Sequence, residues 1–312
     1  IDLPVDDLGP GKRIYVWYDA VIGYLSASKE WAQRHGDPAR WEHWWTNPEA
    51  ESYYFIGKDN IPFHALFWPA QLLGFGGLNL PTNVPANQYV TFKGGKASAS
   101  RGIGLTIGQG LELFEPDAIR FALAAALPEQ ADTEISVDEI GRRINDELVA
   151  TWGNLVNRVL SMTYKNADGV IPEVGVRTAE DEALLAEVDA AFGTAAGHIE
   201  RVELRAGLRS AMATAQAVNT YLNATEPWRM VKDDATRDRG ITVLRTALDA
   251  INGVRVLFAP YLPFSTEALS EVLGPVESWS RSELTSGAPL AAPRPLVRKG
   301  DLDALAEMGD GA

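Results

Sequence analysis

Residues 54–70, YFIGKDNIPFHALFWPA, constrain this chain more than any other stretch. They open as a short apolar run, reach a turn at Gly57, Lys58, Asp59 and Asn60, and restart as a helix. Pro62 stands in its first turn, and Phe63, Leu66, Phe67 and Ala70 recur at helical spacing. A strand that ends in a glycine turn at a helix N-terminus is where an α/β sheet presents a ligand, because free N–H groups point outward there. Asp59 in that turn suits two roles, as a cap of the helix or as a partner for a ribose hydroxyl.

The flanking chain extends the pattern. Residues 12–19, KRIYVWYD, carry the β-branched and aromatic side chains of a strand. Residues 20–34 read as a helix with Ile22, Leu25 and Trp31 facing the core, ended by His35, Gly36, Asp37 and Pro38. Trp41, Trp44 and Trp45 form a packing cluster ahead of a second strand at 52–56. The helix from Pro62 runs to Gly74, and a loop with Gly76, Gly77, Pro81 and Pro85 leads to a third strand at 88–92. Two strand–helix units feeding a third strand predict a mostly parallel sheet with helical crossovers. A loop rich in Gly, Ser and Ala covers 93–110, and a helix with Pro116 at its start covers 115–127.

From Ser136 onward the strand-like runs cease. Amphipathic helices are predicted over 137–166, 179–197, 202–223, 235–258 and 265–273, separated mostly by Gly and Pro. That is a helical bundle of mainly antiparallel neighbours. After Gly274 the chain is rich in Pro, Ser and charge, as expected of an extended tail over the surface. A length of 312 residues suits about two domains. The boundaries read 1–135 for the α/β part, 136–275 for the bundle and 276–312 for the tail.

Composition narrows the classes. The hydrophobic fraction of 46% supports a full core, and no apolar run approaches the roughly 20 residues of a membrane span. The start, Ile1-Asp2-Leu3-Pro4, is acidic and unlike a signal peptide, and an initial Ile suits a fragment or a processed piece. The absence of Cys excludes disulfides and cysteine metal sites and suits a reducing compartment. A net charge of −14 argues against indiscriminate nucleic-acid binding but leaves room for one local basic face.

Four segments together resemble the C-terminal portion of the methionyl-tRNA synthetase family, which are class I aminoacyl-tRNA synthetases. Residues 16–24, VWYDAVIGY, resemble the family's VW-x-DAPIGY segment. Residues 55–70 resemble its FIGKD-x-x-x-FH-x-x-FWPA segment. KASASRG at 96–102 is similar to its KMSKSRG loop, and DELV at 146–149 with GNLVNR at 153–158 is similar to the start of its anticodon-binding bundle. NATEPW at 223–228 and LPFSTE at 262–267 fit the same template.

The resemblance implies a fold: the C-terminal half of a Rossmann-like class I catalytic domain, followed by an all-α anticodon-binding helix bundle. It implies a cytoplasmic ligase that activates L-methionine with ATP and Mg2+ and transfers it to tRNA(Met). No zinc is expected in this chain. Lys96, Ser98 and Ser100 would act on the phosphates from a mobile loop, with Gly94, Gly95 and Gly102 allowing motion. Gly57, Asp59, Val90 and Lys96 would bind ATP. Trp17, Ala20, Val21, Tyr24, Asn60 and His64 would line the methionine pocket, since a thioether favours polarisable aromatic walls. Read without the family, Trp17 and Tyr24 fit simple core packing, and His64 fits a satisfied helix histidine.

Departures from the family pattern carry expectations of their own. Ala99 replaces the loop's second lysine and Ala97 its bulky apolar residue, so less positive charge faces the leaving group. Lys93 stands close enough in sequence to compensate in part. Val21 replaces the usual Pro, and Asn60 replaces an aliphatic residue.

In the bundle, Asn154 and Arg158 lie at i and i+4 on one helical face, and Trp228 follows Pro227 at a helix boundary. Amide, guanidinium and indole suit unstacked RNA bases, and the resemblance assigns these residues to the CAU anticodon. A buried Trp beside a surface Arg is the plainer reading. Arg201, Arg205 and Arg209 make a stripe that faces phosphates or, with Glu200 and Glu203 near it, a salt-bridged surface. None of His35, His43, His64 and His198 sits in the family's HIGH motif. The expectation is therefore a split or truncated synthetase that needs a separate HIGH-containing N-terminal chain, or a non-catalytic tRNA-binding paralogue.

Overall fold

A computed structural model describes residues 12–13, 15–92, 95–96 and 106–300, with 95–96 given through the backbone alone. The chain divides into two compact units: one takes the residues up to Tyr89 plus Pro128–Asp132, and the other takes Val90–Leu127 plus the chain from Thr133.

In the first unit, helices α1 (Val16–Ala20), α2 (Gly23–Arg34) and α3 (Glu42–Trp45) precede strand β1 (Ile56–Gly57). The strand expected over 12–19 is thus a helix from Val16. β-branched and aromatic residues hold a strand only when a sheet neighbour pairs them. Here their rings lie on another helix instead: Trp17 stacks on Phe63 at 5.5 Å, Tyr15 approaches Phe63 at 5.8 Å, and Tyr18 meets Phe67 edge-on at 6.2 Å. Helix α2 stops where expected, at Gly36, whose φ of 77° is the left-handed conformation of a C-terminal cap.

Strand β1 is shorter than the expected 52–56 and pairs in parallel with β2 (Ala86–Asn87), Ile56 opposite Ala86. An isolated parallel bridge from Tyr53 to Asn83 prolongs the ladder. The connection between them is the helix read from the sequence, built as a π-helical segment Phe63–Phe67 running into α4 (Trp68–Phe75). Its buried residues are His64, Trp68 and Leu72, spaced at i, i+4 and i+8, while Leu66 and Phe67 are exposed. Val21, Trp45, Trp68 and Leu72 form this unit's core, with Leu25, Trp41, Tyr54, Phe63 and Leu78 packed against it. Of the three clustered tryptophans, only Trp45 is buried, and Trp44 turns to Trp31 at 5.2 Å.

In the second unit, β3 (Val90–Phe92) is flanked by β4 (Gly95–Lys96), antiparallel, and β5 (Thr133–Glu134), parallel. The sequence-predicted third strand at 88–92 is therefore β3, starting at Val90, while the strand that pairs with β1 is β2, just before the predicted range and in the other unit. Helix α5 (Ile107–Leu113) takes the end of the predicted loop, where the Thr106 hydroxyl accepts from Gln109 N–H and the Gln109 side chain accepts from Thr106 N–H. Helix α6 (Pro116–Ala125) completes the crossover to β5.

The bundle follows as α7 (Val137–Arg142), a π-helical stretch Arg143–Gly153 and α8 (Asn154–Asn166), then α9 (Ala179–Glu200), α10 (Leu204–Thr225), α11 (Pro227–Met230), α12 (Arg237–Phe258) and α13 (Pro263–Leu273). Each predicted helix is present, most with ends shifted by a residue or two. Helix α12 is the centre: every residue from Thr242 to Phe258 is buried. A helix enclosed on all sides must satisfy its polar side chains internally. The segment after Gly274 does this. Leu284 O accepts from Arg245 Nη2 at 2.8 Å and Ser282 O accepts from Asn252 Nδ2 at 2.8 Å. Leu284, Leu290 and Val297 are buried, so the expected surface tail is in part a core strap. Among the described residues, no helix is long and apolar enough to cross a membrane.

Candidate functional site

In the first unit, the rings of Tyr15, Trp17, Tyr18, Tyr24 and Tyr54 contact the Phe63–Phe67 segment. His64 Nδ1 donates to the Asn60 carbonyl at 3.0 Å, because a carbonyl can only accept. In the neutral ring this leaves Nε2 as acceptor, and the Tyr24 hydroxyl donates to it at 2.8 Å. The Tyr24 ring meets Tyr54 edge-on at 5.1 Å, and Tyr54 Oη accepts from Trp68 Nε1 at 3.0 Å. Burial pushes the Tyr54 hydroxyl above its ordinary pKa, so it stays neutral. The Trp17–Phe63 stack continues the wall.

Tyr24 and His64, distant in sequence, therefore meet directly, while Trp17 stacks on Phe63, the chain neighbour of His64. Trp17 and Tyr24 are 41% and 42% exposed, which is too open for core packing, while His64 is 3% exposed. Val21 lies behind the wall in the core, and Ala20 is exposed beside it. Asn60 contributes its carbonyl, which fixes the imidazole. Phe63, Tyr54 and Trp68 are wall residues the sequence reading did not single out. Phe63 immediately precedes His64, and that adjacency is the signal that could have found it.

At the turn, the N-cap positions of the 58–60 turn and of the Phe63–Phe67 segment are Gly57 and Pro62, neither with a side-chain cap, and Asp59 lies between them. The Asp59 carboxylate accepts from the Tyr89 hydroxyl. Lys58 Nζ lies 2.7 Å from Asp132 and 4.0 Å from the Tyr89 ring centroid. Asp132 also accepts from Tyr89 N–H at 2.8 Å. Lys58, then that amide, hold the Asp132 carboxyl below the usual carboxylate range. Gly57 ends β1 and is exposed. Val90 belongs to the second unit, in β3. Lys96 is described only as backbone of β4, and Ser98 and Ser100 lie outside the described residues, as do Ala97 and Ala99.

In the second unit, Arg158 on α8 stands with its guanidinium 5.8 Å from the Trp228 ring centroid. Both side chains are half-buried and Asn154 is exposed one turn earlier. Glu226 at φ 48° and ψ 52° turns the chain sharply from α10 into α11, and this places Trp228. The Arg158 guanidinium touches two amides, Asn219 Oδ1 and Asn223 Oδ1, each at 3.4 Å. No carboxylate among the described residues pairs with it. Burial holds its pKa below the ordinary guanidinium value, and its Nε is buried with no acceptor. An uncompensated cation over an indole suits an electron-rich, hydrogen-bonding ring or an anion.

The arginine stripe divides. Arg201 pairs with Glu203 at 3.0 Å, and Glu203 also lies 2.6 Å from His198. Arg205 and Arg209 line a cavity of about 490 Å3 with Arg143, Asp146 and Glu147, a mixed-charge surface.

Residues 1–160 match a family model described as "tRNA synthetases class I (M)", and residues 171–303 match one described as "Anticodon binding domain of methionyl tRNA ligase". A methionine–tRNA ligase of Corynebacterium jeikeium is 49% identical over 284 residues, covering 86% of this chain and 46% of that protein. One from Roseiflexus castenholzii is 42% identical, covering 98% of this chain and 58% of that protein. The crystal structure of Mycobacterium tuberculosis methionyl-tRNA synthetase bound by methionyl-adenylate superposes with a TM-score of 0.80 at 27% identity, covering 91% of this chain and 56% of that one. The chain thus spans about half the length of the curated relatives it matches.

Proposed function

Because the chain belongs to the methionyl-tRNA synthetase family of class I aminoacyl-tRNA synthetases, we propose that it serves the ATP-dependent activation of L-methionine and its transfer to tRNA(Met). In activation, a methionine carboxylate oxygen forms a bond to the α-phosphorus of ATP and the bond to pyrophosphate breaks. The Mg2+ of this reaction arrives with ATP as its counter-ion. Catalysis is positioning plus neutralisation of charge on the leaving group. Residues 1–135 would supply the KMSKS-like half of the catalytic domain, residues 136–275 the anticodon-binding bundle and residues 276–312 the tail.

Trp17, Tyr24, Phe63 and His64 hold the thioether side chain by aromatic and polarisable contact. Ala20 leaves room beside them, Val21 supports them from the core, and Asn60 fixes His64. Gly57, Asp59 and Val90 bind ATP, and Lys96, Ser98 and Ser100 act on its phosphates. Asn154, Arg158 and Trp228 read the CAU anticodon, by hydrogen bonds to base edges and by stacking.

The observation that carries this function is the occurrence, within one chain, of the Tyr24–His64 and Trp17–Phe63 aromatic contacts and of Arg158, without a carboxylate partner, beside Trp228. Aminoacylation tests it. With a HIGH-containing segment supplied, this chain should charge a CAU transcript with methionine and charge an anticodon-changed transcript far less. A second reading, a non-catalytic tRNA-binding paralogue, draws on Ala99 in place of the KMSKS-like loop's second lysine. Stem-loop binding that is lost on Trp228→Ala, with no charging after complementation, would favour it.

A further inference from the structure

The Arg158 guanidinium touches two amides, but only one of them is itself held. Asn223 is exposed, and no described group anchors its Nδ2. Asn219 is half-buried, and its Nδ2 donates to the Thr151 carbonyl at 2.9 Å and to the Ala215 carbonyl at 3.4 Å. An amide has one donor end and one acceptor end. With the donor end committed to two carbonyls, the amide is fixed with its oxygen toward Arg158. Thr151 lies in the π-helical stretch that leads directly into Asn154 and Arg158. One side chain on α10 therefore ties that stretch to the guanidinium it presents.

We propose that Asn219 is a positioning residue for anticodon recognition, setting the direction of the Arg158 fork against Trp228. The inference rests on the reading of Arg158 as an anticodon contact and adds to it. At 3.4 Å and without a formal charge, Asn219 orients the guanidinium while leaving its charge and its best donors for an incoming base. A carboxylate at this position would instead pair with the cation and compete with the RNA. Arg158 carries four rotatable bonds and an unpartnered Nε, so its direction must come from outside its own side chain.

A double-mutant cycle on the full chain tests this. Affinity is measured for a CAU stem-loop and for a stem-loop with one anticodon base changed. Asn219→Ala should weaken CAU binding about 10-fold and narrow the gap between the two loops. Asn223→Ala should change binding by less than about 3-fold, since that amide holds no fixed direction. In an Arg158→Ala background, Asn219→Ala should have no further effect. Asn219→Gln keeps the amide but moves it by one methylene, so it should lose discrimination with an unchanged unfolding midpoint.

Additive losses in the double variant would overturn the inference and leave the anticodon reading intact, as would equal effects of the two asparagine variants. An Arg158→Ala variant that binds both loops like the parent would overturn both. Should Asn219→Ala fail to fold, the Asn219→Gln comparison decides: unchanged discrimination in that variant overturns the proposal.

Discussion

The Tyr24 hydroxyl donates to His64 Nε2 across 2.8 Å, joining residues 40 positions apart, and the Asn60 carbonyl fixes the other ring nitrogen. The imidazole is thus held at both ends, and 3% exposure keeps water from replacing either partner. Tyr24→Phe leaves Nε2 buried and unpaired, which should cost about 1–2 kcal/mol of stability. Urea unfolding reads that loss. Methionine affinity should fall together with it, since the ring is then free to tilt.

Trp17 separates binding from stability. It is 41% exposed and its main partner is the Phe63 ring. Trp17→Ala should destabilise the fold by no more than about 1.5 kcal/mol, the scale of an aromatic pair. Methionine should bind at least about 10-fold more weakly. Titration calorimetry with methionine, beside a thermal melt, gives both numbers.

Asp181 sits at the N-terminus of α9, where its two oxygens receive Arg239 at 2.6 and 2.8 Å and the Tyr221 hydroxyl at 2.5 Å. Burial raises its pKa, but the Arg239, Tyr221 and Thr178 donors together hold it below the ordinary value. A depressed folded-state pKa stabilises the protein above the unfolded carboxyl's value, and that stability is lost as pH falls through the lower one. Urea midpoints should therefore drop below about pH 4. Asp181→Ala should lose about 1.5–3 kcal/mol at neutral pH, because the half-buried Arg239 and the buried Tyr221 hydroxyl then lack their charged acceptor. Its acid limb should also be flatter than that of the parent.

Removing the segment after Gly274 should prevent cooperative folding of the bundle. Arg245 and Asn252, both buried on α12, would lose acceptors at Leu284, Ser286 and Ser282. Leu284→Ala within the intact chain should cost about 2–4 kcal/mol. Circular dichroism melts of the truncated and substituted chains check both expectations.

What the sequence made legible follows from range. Helices α8, α9, α10, α12 and α13 carry their own period, most with their own Gly and Pro boundaries, so most of the bundle could be read locally, and only the four-residue α11 was not. Residues 12–19 could not, because VWY suits either strand or helix and the deciding partner, Phe63, lies some 45 residues away. The tail looked like surface because its composition is polar, yet its value lies in backbone carbonyls, which composition does not register. Tyr24 with His64 and Arg158 with Trp228 were legible through family motifs. Asn219 was not, because its role depends on a contact with Thr151 across 68 positions.

Methionine-dependent exchange of pyrophosphate into ATP needs no tRNA and isolates the activating cleft. It should appear when this chain is combined with a HIGH-containing segment, respond to methionine and not to leucine or valine, and fall sharply with Tyr24→Phe. Exchange driven by leucine or valine but not by methionine, or none at all after complementation, would contradict the assignment of this chain to methionine activation.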